Sequence, residues 1–480
     1  MSQTQARPAD GRAARTAVVL AAGEGKRLKS ALPKVLHRAA GRTLVGHVLA
    51  ALRDMQPDQT VVVASNRRDE IAEGLGDDGA GVDFVIQDPP RGTGDALRVA
   101  LAEVRARDGH VLVVPGDTPL LTAETLTELW QLHMSSAAAA TLLTATASDP
   151  TGYGRIVRTE DGALAEIVEH RDATPEQLEI DEINAGVYIF ELHGLSEMLD
   201  KIDRENSQGE YYLTDVIALL RKEERGVEAL EADESEVAGV NSRSQLADVS
   251  ALLYDRHNQR WLEEGVTIVD PAATYIDAMV TIEPDATIYP FTFLEGTTTV
   301  ATGAEIGPQA RIVDSEVGPG ARVSFAVVRG SELGPETVVG PFASLRPGTK
   351  LAKGAELGTF VESKNTTLGE DSAAHHLSYL GDAEIGAGVN IGAGTITCNW
   401  DGQEKHRSVV DDDAYIGSDT MLVAPVHIGK RAATGAGSVV KGDVPDDALA
   451  VGVPARVIEG KGNKMKRPDR PDKPGPERGE

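Results

Sequence analysis

The chain is poor in cysteine and aromatic residues, carries no surplus of positive charge and has no long apolar run. Its single cysteine, Cys398, excludes an intramolecular disulfide framework and has no spacing partner for a zinc site. That count fits a reducing compartment, so a cytoplasmic location is expected, with Cys398 read as a small buried residue. A net charge of −28 leaves no global basic footprint for nucleic acid. Anionic substrates must therefore be met by local cationic pockets. No stretch approaches the roughly 18 apolar residues that suggest a membrane-spanning helix, and no membrane insertion is expected. The opening MSQTQARPADGRAART lacks the apolar core of a signal peptide. Aromatics make up only 4% of residues against 50 glycines, which suits tightly turned β structure built on Val, Ile, Leu and Ala.

What is present falls into two patterns. The 480 residues suggest two to four domains. Apolar runs at 16–20 (TAVVL), 60–65, 82–87, 110–117 and 184–190 alternate with helical stretches such as 94–107 and 123–136. Strands alternating with helices imply βαβ units and a mainly parallel sheet, expected over residues 15–242. Residues 1–14 are expected to be disordered. Residues 243–264 have helical apolar spacing and read as a linker helix, or equally as a surface helix of the first domain.

Beyond 264 the period changes. Ile282, Ile288, Leu294, Val300, Ile306 and Ile312 fall six residues apart, and the rhythm returns at Ile385 and Ile391 and again from Ile416 to Val440. Aliphatic–Gly pairs recur, as in Ile306-Gly307 and Ile428-Gly429. A six-residue period signals a parallel β-helix of hexapeptide repeats, expected over 265–458. Residues 377–379 and 399–413 break the rhythm and are expected to be loops. The Pro- and charge-rich segment 459–480 is expected to be a disordered tail.

Two motifs carry chemistry in the first half. Leu20, Ala21, Ala22 and Gly23 open a Gly-rich stretch that runs to Arg27 and is followed by Leu32-Pro33-Lys34. Small residues after a strand let backbone N–H groups approach phosphates, and Arg27 and Lys34 could neutralise them. The stretch matches neither GxxxxGK(S/T) nor GxGxxG, and on its own it is as readily a strand-to-helix turn. Asp117, in VVPGDTPL, stands at the end of an apolar strand, where α/β sheets place ligands, and is a candidate Mg²⁺ ligand.

In order along the chain, LAAGEGKRLKSALPKVLH, GTGDAL, PGDTPLL, PTGYGRI, EINAGVYIF, GEYYLTD and GVNSRSQL resemble the sugar-nucleotide pyrophosphorylases. Followed by a hexapeptide β-helix containing HLSYLGDAEIGAGVNIGAGTITCNWDG, they closely resemble the bacterial bifunctional N-acetylglucosamine-1-phosphate uridyltransferase/glucosamine-1-phosphate acetyltransferase family, over about residues 15–445. The resemblance implies a Rossmann-like α/β nucleotidyltransferase domain followed by a left-handed parallel β-helix. It implies synthesis of UDP-N-acetylglucosamine, a cell-wall precursor, from UTP, acetyl-CoA and glucosamine 1-phosphate, with Mg²⁺ as cofactor and a homotrimer formed through the β-helix. It places Leu20, Ala21, Ala22, Gly23 and Lys34 on UTP, Gln87, Gly92 and Thr93 on uracil, Asp117 and Asn241 on Mg²⁺, and Gly154, Glu169 and Asn184 on the sugar.

Acyl transfer to an amine needs a base, and histidine suits that task near neutral pH. The β-helix half holds His375, His376, His406 and His427, and the resemblance points to His376. It assigns Arg346, Lys364, Tyr379 and Asn390, with Lys405, to glucosamine 1-phosphate, and Ala393, Asn399, Trp400, Ser418 and Ala436 to acetyl-CoA. Two departures stand out. The family carries Tyr where Trp400 stands, keeping a ring and losing a hydroxyl. In VGVPARVI (451–458) the expected cationic contact to CoA is out of register, leaving Arg456 as its replacement. The alternative reading is a single-activity pyrophosphorylase with a non-catalytic β-helix platform. The paired histidines, Lys364 and the NWDG segment argue against it, since a platform needs none of them.

Overall fold

A computed structural model describes residues 13–23 and 25–462. The expected disordered segments therefore fall mostly outside the described residues. Ala14 is already anchored, its carbonyl accepting from His110 N at 2.9 Å. The chain divides between Leu253 and Tyr254 into two compact units. The helix Arg243–Glu263 straddles that division. Among the described residues no helix is long and apolar enough to cross a membrane.

The first unit is a central sheet in the order Val227–Glu231, Ala140–Thr146, Glu182–Glu191, His110–Pro115, Arg15–Ala21, Gln59–Ala64, Asp83–Ile86. Only Glu182–Glu191 runs antiparallel to its neighbours in that row. A side hairpin, Arg155–Arg158 with Leu164–Val168, pairs onto it. The central strands read as unbroken apolar runs because helices cover both faces; Val18, Val19, Val61, Val62 and Val113 have no more than 1% exposure. Two helices show how local sequence sets the ends. Thr122 caps Ala123–Ser136 by accepting from Thr125 N, and Thr43 caps Leu44–Asp54 by accepting from Gly46 N.

The second unit is a parallel β-helix. Its short strands stack coil on coil into three sheets of twelve, ten and nine strands, called here the first, second and third. One continuous column of aliphatic residues fills the interior, from Ile268 and Ile288 to Val440. Each fully buried Ile or Leu in such a column contributes roughly 1.5–3 kcal/mol relative to exposure. Trp261 and Val266 belong to the same core, so the last turns of Arg243–Glu263 close the column at its start. Asn258, fully buried, holds that lid by donating to Pro271 O and Thr274 O, both at 2.9 Å.

Two expectations are corrected. Residues 377–379 are not a loop: Leu377 N donates to Thr359 O at 2.9 Å and the coil continues into Tyr379–Gly381. The rhythm is obscured elsewhere, because some sides of the triangle use five residues instead of six, as from Ile312 to Val317 and from Leu380 to Ile385. The interior excursion is shorter than expected, residues 399–407. Ser408–Val410 is already strand again, paired with Ala383–Ile385.

The first unit buries a titratable pair away from its ligand cleft. His133, 1% exposed, bonds Thr141 Oγ1 through Nδ1 (2.8 Å) and His110 Nδ1 through Nε2 (2.9 Å). Burial, aided by repulsion from His110, pushes the His133 imidazole down to about 4. The folded state thus needs this ring neutral, while the unfolded chain takes up the proton near pH 6.5. Stability is full above about pH 6.5 and falls as pH drops toward 4, by about 3 kcal/mol from this group. Denaturant titrations of wild type and His133→Gln from pH 7.5 to 4.5 should show a shallower pH slope in the variant. Equal slopes would remove His133 as the cause.

Candidate functional site

In the first unit the carboxyl ends of the parallel strands open into a cleft of about 610 Å³. Parallel sheets place ligands there because loops and helix N-termini converge at those ends. Leu20 comes from Arg15–Ala21, Gln87 follows Asp83–Ile86, Asp117 follows His110–Pro115, and Asn184 lies in Glu182–Glu191. All four line the cleft with Ala22, Gly23, Gly92, Thr93 and Glu169. Ala21 lines an adjoining pocket of about 240 Å³ that shares Gly23 and Gln87. Gly154 supports the wall from behind, its carbonyl accepting from Asn184 N at 2.9 Å. Arg27 is not brought in: it stands exposed on the short turn Lys26–Leu28 and does not line the cleft.

Lys34 links residues that are far apart in sequence. Its ammonium forms an ion pair with Asp117 and donates to Asn241 Oδ1 at 2.6 Å. The carboxylate and the amide oxygen thus converge on one cation, with side chains only 11% and 20% exposed for Lys34 and Asp117. Val240 N donates to Asp117 O at 2.9 Å and pins the Asn241 segment beside that strand end.

The opposite side is acidic and partly desolvated. Burial raises the Glu169 carboxyl, reinforced by Asp215, Asp172 and Glu210 and opposed by the Thr214 hydroxyl. Burial lifts Asp215 to about 6, with Asp203 and Asp172 adding. Asn184 has both ends of its amide fixed: Nδ2 donates to Tyr188 Oη at 2.7 Å, and Oδ1 accepts from Gly186 N at 3.1 Å.

In the second unit the register does the assembling. Thr359 pairs with His376, Ala374 with Ile391, Ile391 with Ile416 and Tyr415 with Ala433. His376, Ala393, Ser418 and Ala436 therefore occupy the same place on successive coils, at the corner between the first and second sheets. The two adjacent histidines differ. His375 Nε2 is paired with Glu356 Oε2 at 2.8 Å. His376 is exposed, and its ring has no hydrogen-bond partner among the described residues.

Across the second sheet lies a cationic group. Arg346 and Lys364 stand in register at its far edge, since Leu345 pairs with Ser363. Lys405, from the 399–407 excursion, comes against Lys364. That contact, with Arg346 nearby, lowers the Lys364 ammonium. Tyr379 lies between the two corners, its ring over Gly381, where any Cβ would collide with it. Asp382 holds the excursion's root, accepting from Asn399 Nδ2 at 2.5 Å and Asn365 Nδ2 at 2.7 Å. Trp400 is 58% exposed and bridges to Lys405. Two residues stand apart within one chain. Asn390 pairs with Ala373 and Tyr415 on the first sheet, and Arg456 is exposed on a terminal hairpin opposite Val451.

Sequence reasoning missed Gly186, Tyr188, Glu210, Leu213 and Thr214 as cleft-lining residues. All five fall inside EINAGVYIF or GEYYLTD, so the signal was their position within motifs already quoted. It also missed Asp95, buried beside Gln87.

Comparison with known proteins places both units. Residues 17–267 match the MobA-like NTP transferase domain. The chain is 49% identical over 437 residues to a bifunctional protein GlmU of Streptomyces avermitilis, covering 90% of this chain and 91% of that one. It is 48% identical over 440 residues to the bifunctional protein GlmU of Heliobacterium modesticaldum, with 91% and 95% coverage. It is also 48% identical over 453 residues to that of Mycolicibacterium vanbaalenii, with 92% of each chain covered. With this identity running through both the nucleotidyltransferase cleft and the β-helix column, the chain belongs to the family of bifunctional GlmU proteins.

Proposed function

We propose that the protein makes UDP-N-acetylglucosamine in two steps at two separate sites. The second unit transfers the acetyl group of acetyl-CoA to glucosamine 1-phosphate. The first unit then transfers uridylyl from UTP to the N-acetylglucosamine 1-phosphate, releasing pyrophosphate. The observation that carries this reading is that one chain holds two unlike constellations. One is a carboxylate–amide–lysine cleft at strand ends, and the other an unpaired histidine facing a cationic strip. A cytoplasmic setting suits these soluble substrates and the single thiol.

In the cleft, the Leu20, Ala21, Ala22 and Gly23 backbone and Lys34 hold the triphosphate, Gln87, Gly92 and Thr93 meet the base, and Gly154, Glu169 and Asn184 meet the sugar. Asp117 and Asn241 fit Mg²⁺: their oxygens already converge on a cation, the Lys34 ammonium. When bound, Mg²⁺ neutralises charge on the triphosphate as pyrophosphate leaves. The sugar phosphate oxygen attacks the α-phosphorus, and the α–β bridging bond breaks. Lys34 swings from Asp117 toward the phosphates, so the protein's work is positioning and charge neutralisation. Arg27, exposed in this structure, reaches the triphosphate only if its turn closes over the cleft.

At the β-helix corner, Arg346, Lys364 and Lys405 hold the phosphate of glucosamine 1-phosphate. His376 takes a proton from its amine. The amine nitrogen attacks the thioester carbonyl, the C–S bond breaks, and the departing sulfur receives the proton from the imidazolium. Ala393, Ser418 and Ala436 offer small side chains along the same corner, where the pantetheine arm lies. Asn399 and Trp400 border the acetyl group, and Arg456 meets the CoA phosphates. Tyr379 and Asn390 complete the sugar contacts.

Asn390 and Tyr379 sit on different sheets of one chain, so a complete site calls for more than one copy. The corner supports that. Phe291, Phe342, Phe360 and Leu377 are each more than half exposed, and with Phe325 all hold positive φ between 46° and 59°. Phe342 stacks on Phe360 at 5.5 Å, and Phe325 packs tilted against Phe342 at 5.7 Å. Bulky side chains in the left-handed region cost roughly 1–2 kcal/mol each. Such a ladder left in water has no return, whereas burial against neighbouring copies in a homotrimer recovers it.

Two experiments test the reading. With glucosamine 1-phosphate and acetyl-CoA, wild type should release CoA. His376→Ala should lose that by at least about 100-fold yet still release pyrophosphate when given N-acetylglucosamine 1-phosphate and UTP. Asp117→Ala should show the reverse. Loss of both activities in either variant would sink the two-site scheme. Phe342→Asp with Phe360→Asp should shift sedimentation from trimer to monomer and abolish CoA release while sparing uridylyl transfer. A monomer with full acetyl transfer would refute the shared site.

A further inference from the structure

Gln87 is bonded to Asp95, a residue that neither the proposed contacts nor the mechanism uses. Gln87 lies just past the strand Asp83–Ile86, 3% exposed, with its backbone N–H held by Ala64 O at 2.8 Å. Its side-chain amide has two N–H donors, and both are spent. One goes to Gly92 O at 3.0 Å and the other to Asp95 Oδ2 at 2.9 Å. Each partner can only accept: one is a peptide carbonyl, the other a carboxylate ion-paired with Arg91 (3.5 Å) and Arg98 (3.6 Å). The amide cannot flip without setting its own oxygen against two acceptors. Oε1 is thus the only polar side-chain atom of Gln87 left over. It has no partner among the described residues, on a side chain that lines the cleft.

The surroundings keep this arrangement fixed. Asp95 is 3% exposed, in the first turn of Thr93–Glu103, where a negative charge suits the helix dipole. Gly92 holds φ 111°, and a Cβ there would fall 2.5 Å from Tyr211 O, so the carbonyl that takes the first donor is held tightly against the neighbouring loop. Tyr211 N donates to Arg91 O at 2.8 Å, and Leu213 N to Thr93 Oγ1 at 3.0 Å. Neither the loop nor the amide has slack.

We propose that Asp95 is a positioning residue that sets base specificity. By occupying one donor of Gln87 it fixes the amide so that only an acceptor, Oε1, faces the base. The inference rests on the reading of this cleft as a UTP site in which Gln87 meets the base. An acceptor in that place favours a pyrimidine with an N3–H donor, as in uracil. It opposes cytosine, whose N3 is itself an acceptor, because two lone pairs would then face each other in a desolvated site.

The test is the ratio of kcat/KM for UTP to that for CTP in uridylyl and cytidylyl transfer to N-acetylglucosamine 1-phosphate. Asp95→Leu, which removes the acceptor and keeps the branched outline of the side chain, should lower that ratio at least tenfold. Asp95→Asn keeps one acceptor oxygen and should fall between Asp95→Leu and wild type; it also serves if Asp95→Leu does not fold. A purely packing role would lower both constants together and leave the ratio at its wild-type value, and that result overturns the proposal. Gln87→Ala separates the layers. If it leaves the ratio unchanged, Gln87 does not meet the base, and the underlying reading fails as well. If it lowers the ratio while both Asp95 variants keep it, only the role of Asp95 fails.

Discussion

Parallel strand pairing is the constraint on which both units depend. A parallel ladder fixes each residue to one on the next strand, whatever length of chain lies between. In the first unit it brings the ends of Arg15–Ala21, Asp83–Ile86 and His110–Pro115 to one edge, so Leu20, Gln87 and Asp117 share a cleft although about a hundred residues separate the first from the last. In the second unit it stacks His376, Ala393, Ser418 and Ala436 on four consecutive coils. The buried aliphatic column enforces that alignment. A slip of one residue would turn Ile391 and Ile416 outward and drive polar neighbours into a dry interior.

The same alignment explains how a chain of net charge −28 can hold anions. Its cations are local and held in place by other groups. Lys34 is poised between Asp117 and Asn241, and Lys364, Lys405 and Arg346 crowd one edge of the second sheet tightly enough to lower the Lys364 ammonium. Like charges gathered this way repel, and an incoming phosphate relieves the repulsion. Elsewhere on the surface, cations are held in ion pairs such as Arg431–Asp447 and Lys350–Glu332.

The legible part of the fold was whatever repeats or alternates. The six-residue period named the β-helix because an interior aliphatic column has to recur, and the apolar runs named the central strands because both faces of a parallel sheet are covered. The hidden part lay where that logic weakens. The strand Ala140–Thr146 is rich in Ala and Thr and offers little contrast. The five-residue sides shift the count between Ile312 and Ile385, so residues 377–379 looked like a break when the step had changed elsewhere. The site was legible in its motif residues and not in its couplings. Nothing in the sequence says that Lys34 meets Asn241, that His375 is tied to Glu356 while His376 is not, or that Asp95 holds Gln87.

Those couplings are where the discriminating chemistry sits. A lone glutamine in a cleft can present a donor or an acceptor and so reads no base. Two adjacent histidines are equivalent until one is paired. In each case a carboxylate resolves the ambiguity: Asp95 by using up a donor of Gln87, Glu356 by taking His375 out of play. Neither carboxylate need touch a substrate. Their effect is to remove alternatives from a neighbour, which an acidic protein can do cheaply, having carboxylates to spare, provided each is placed where the backbone register has already fixed its partner. That is why the sheets come first in the logic of this molecule. Only a side chain whose backbone cannot move can be told which of its atoms to show.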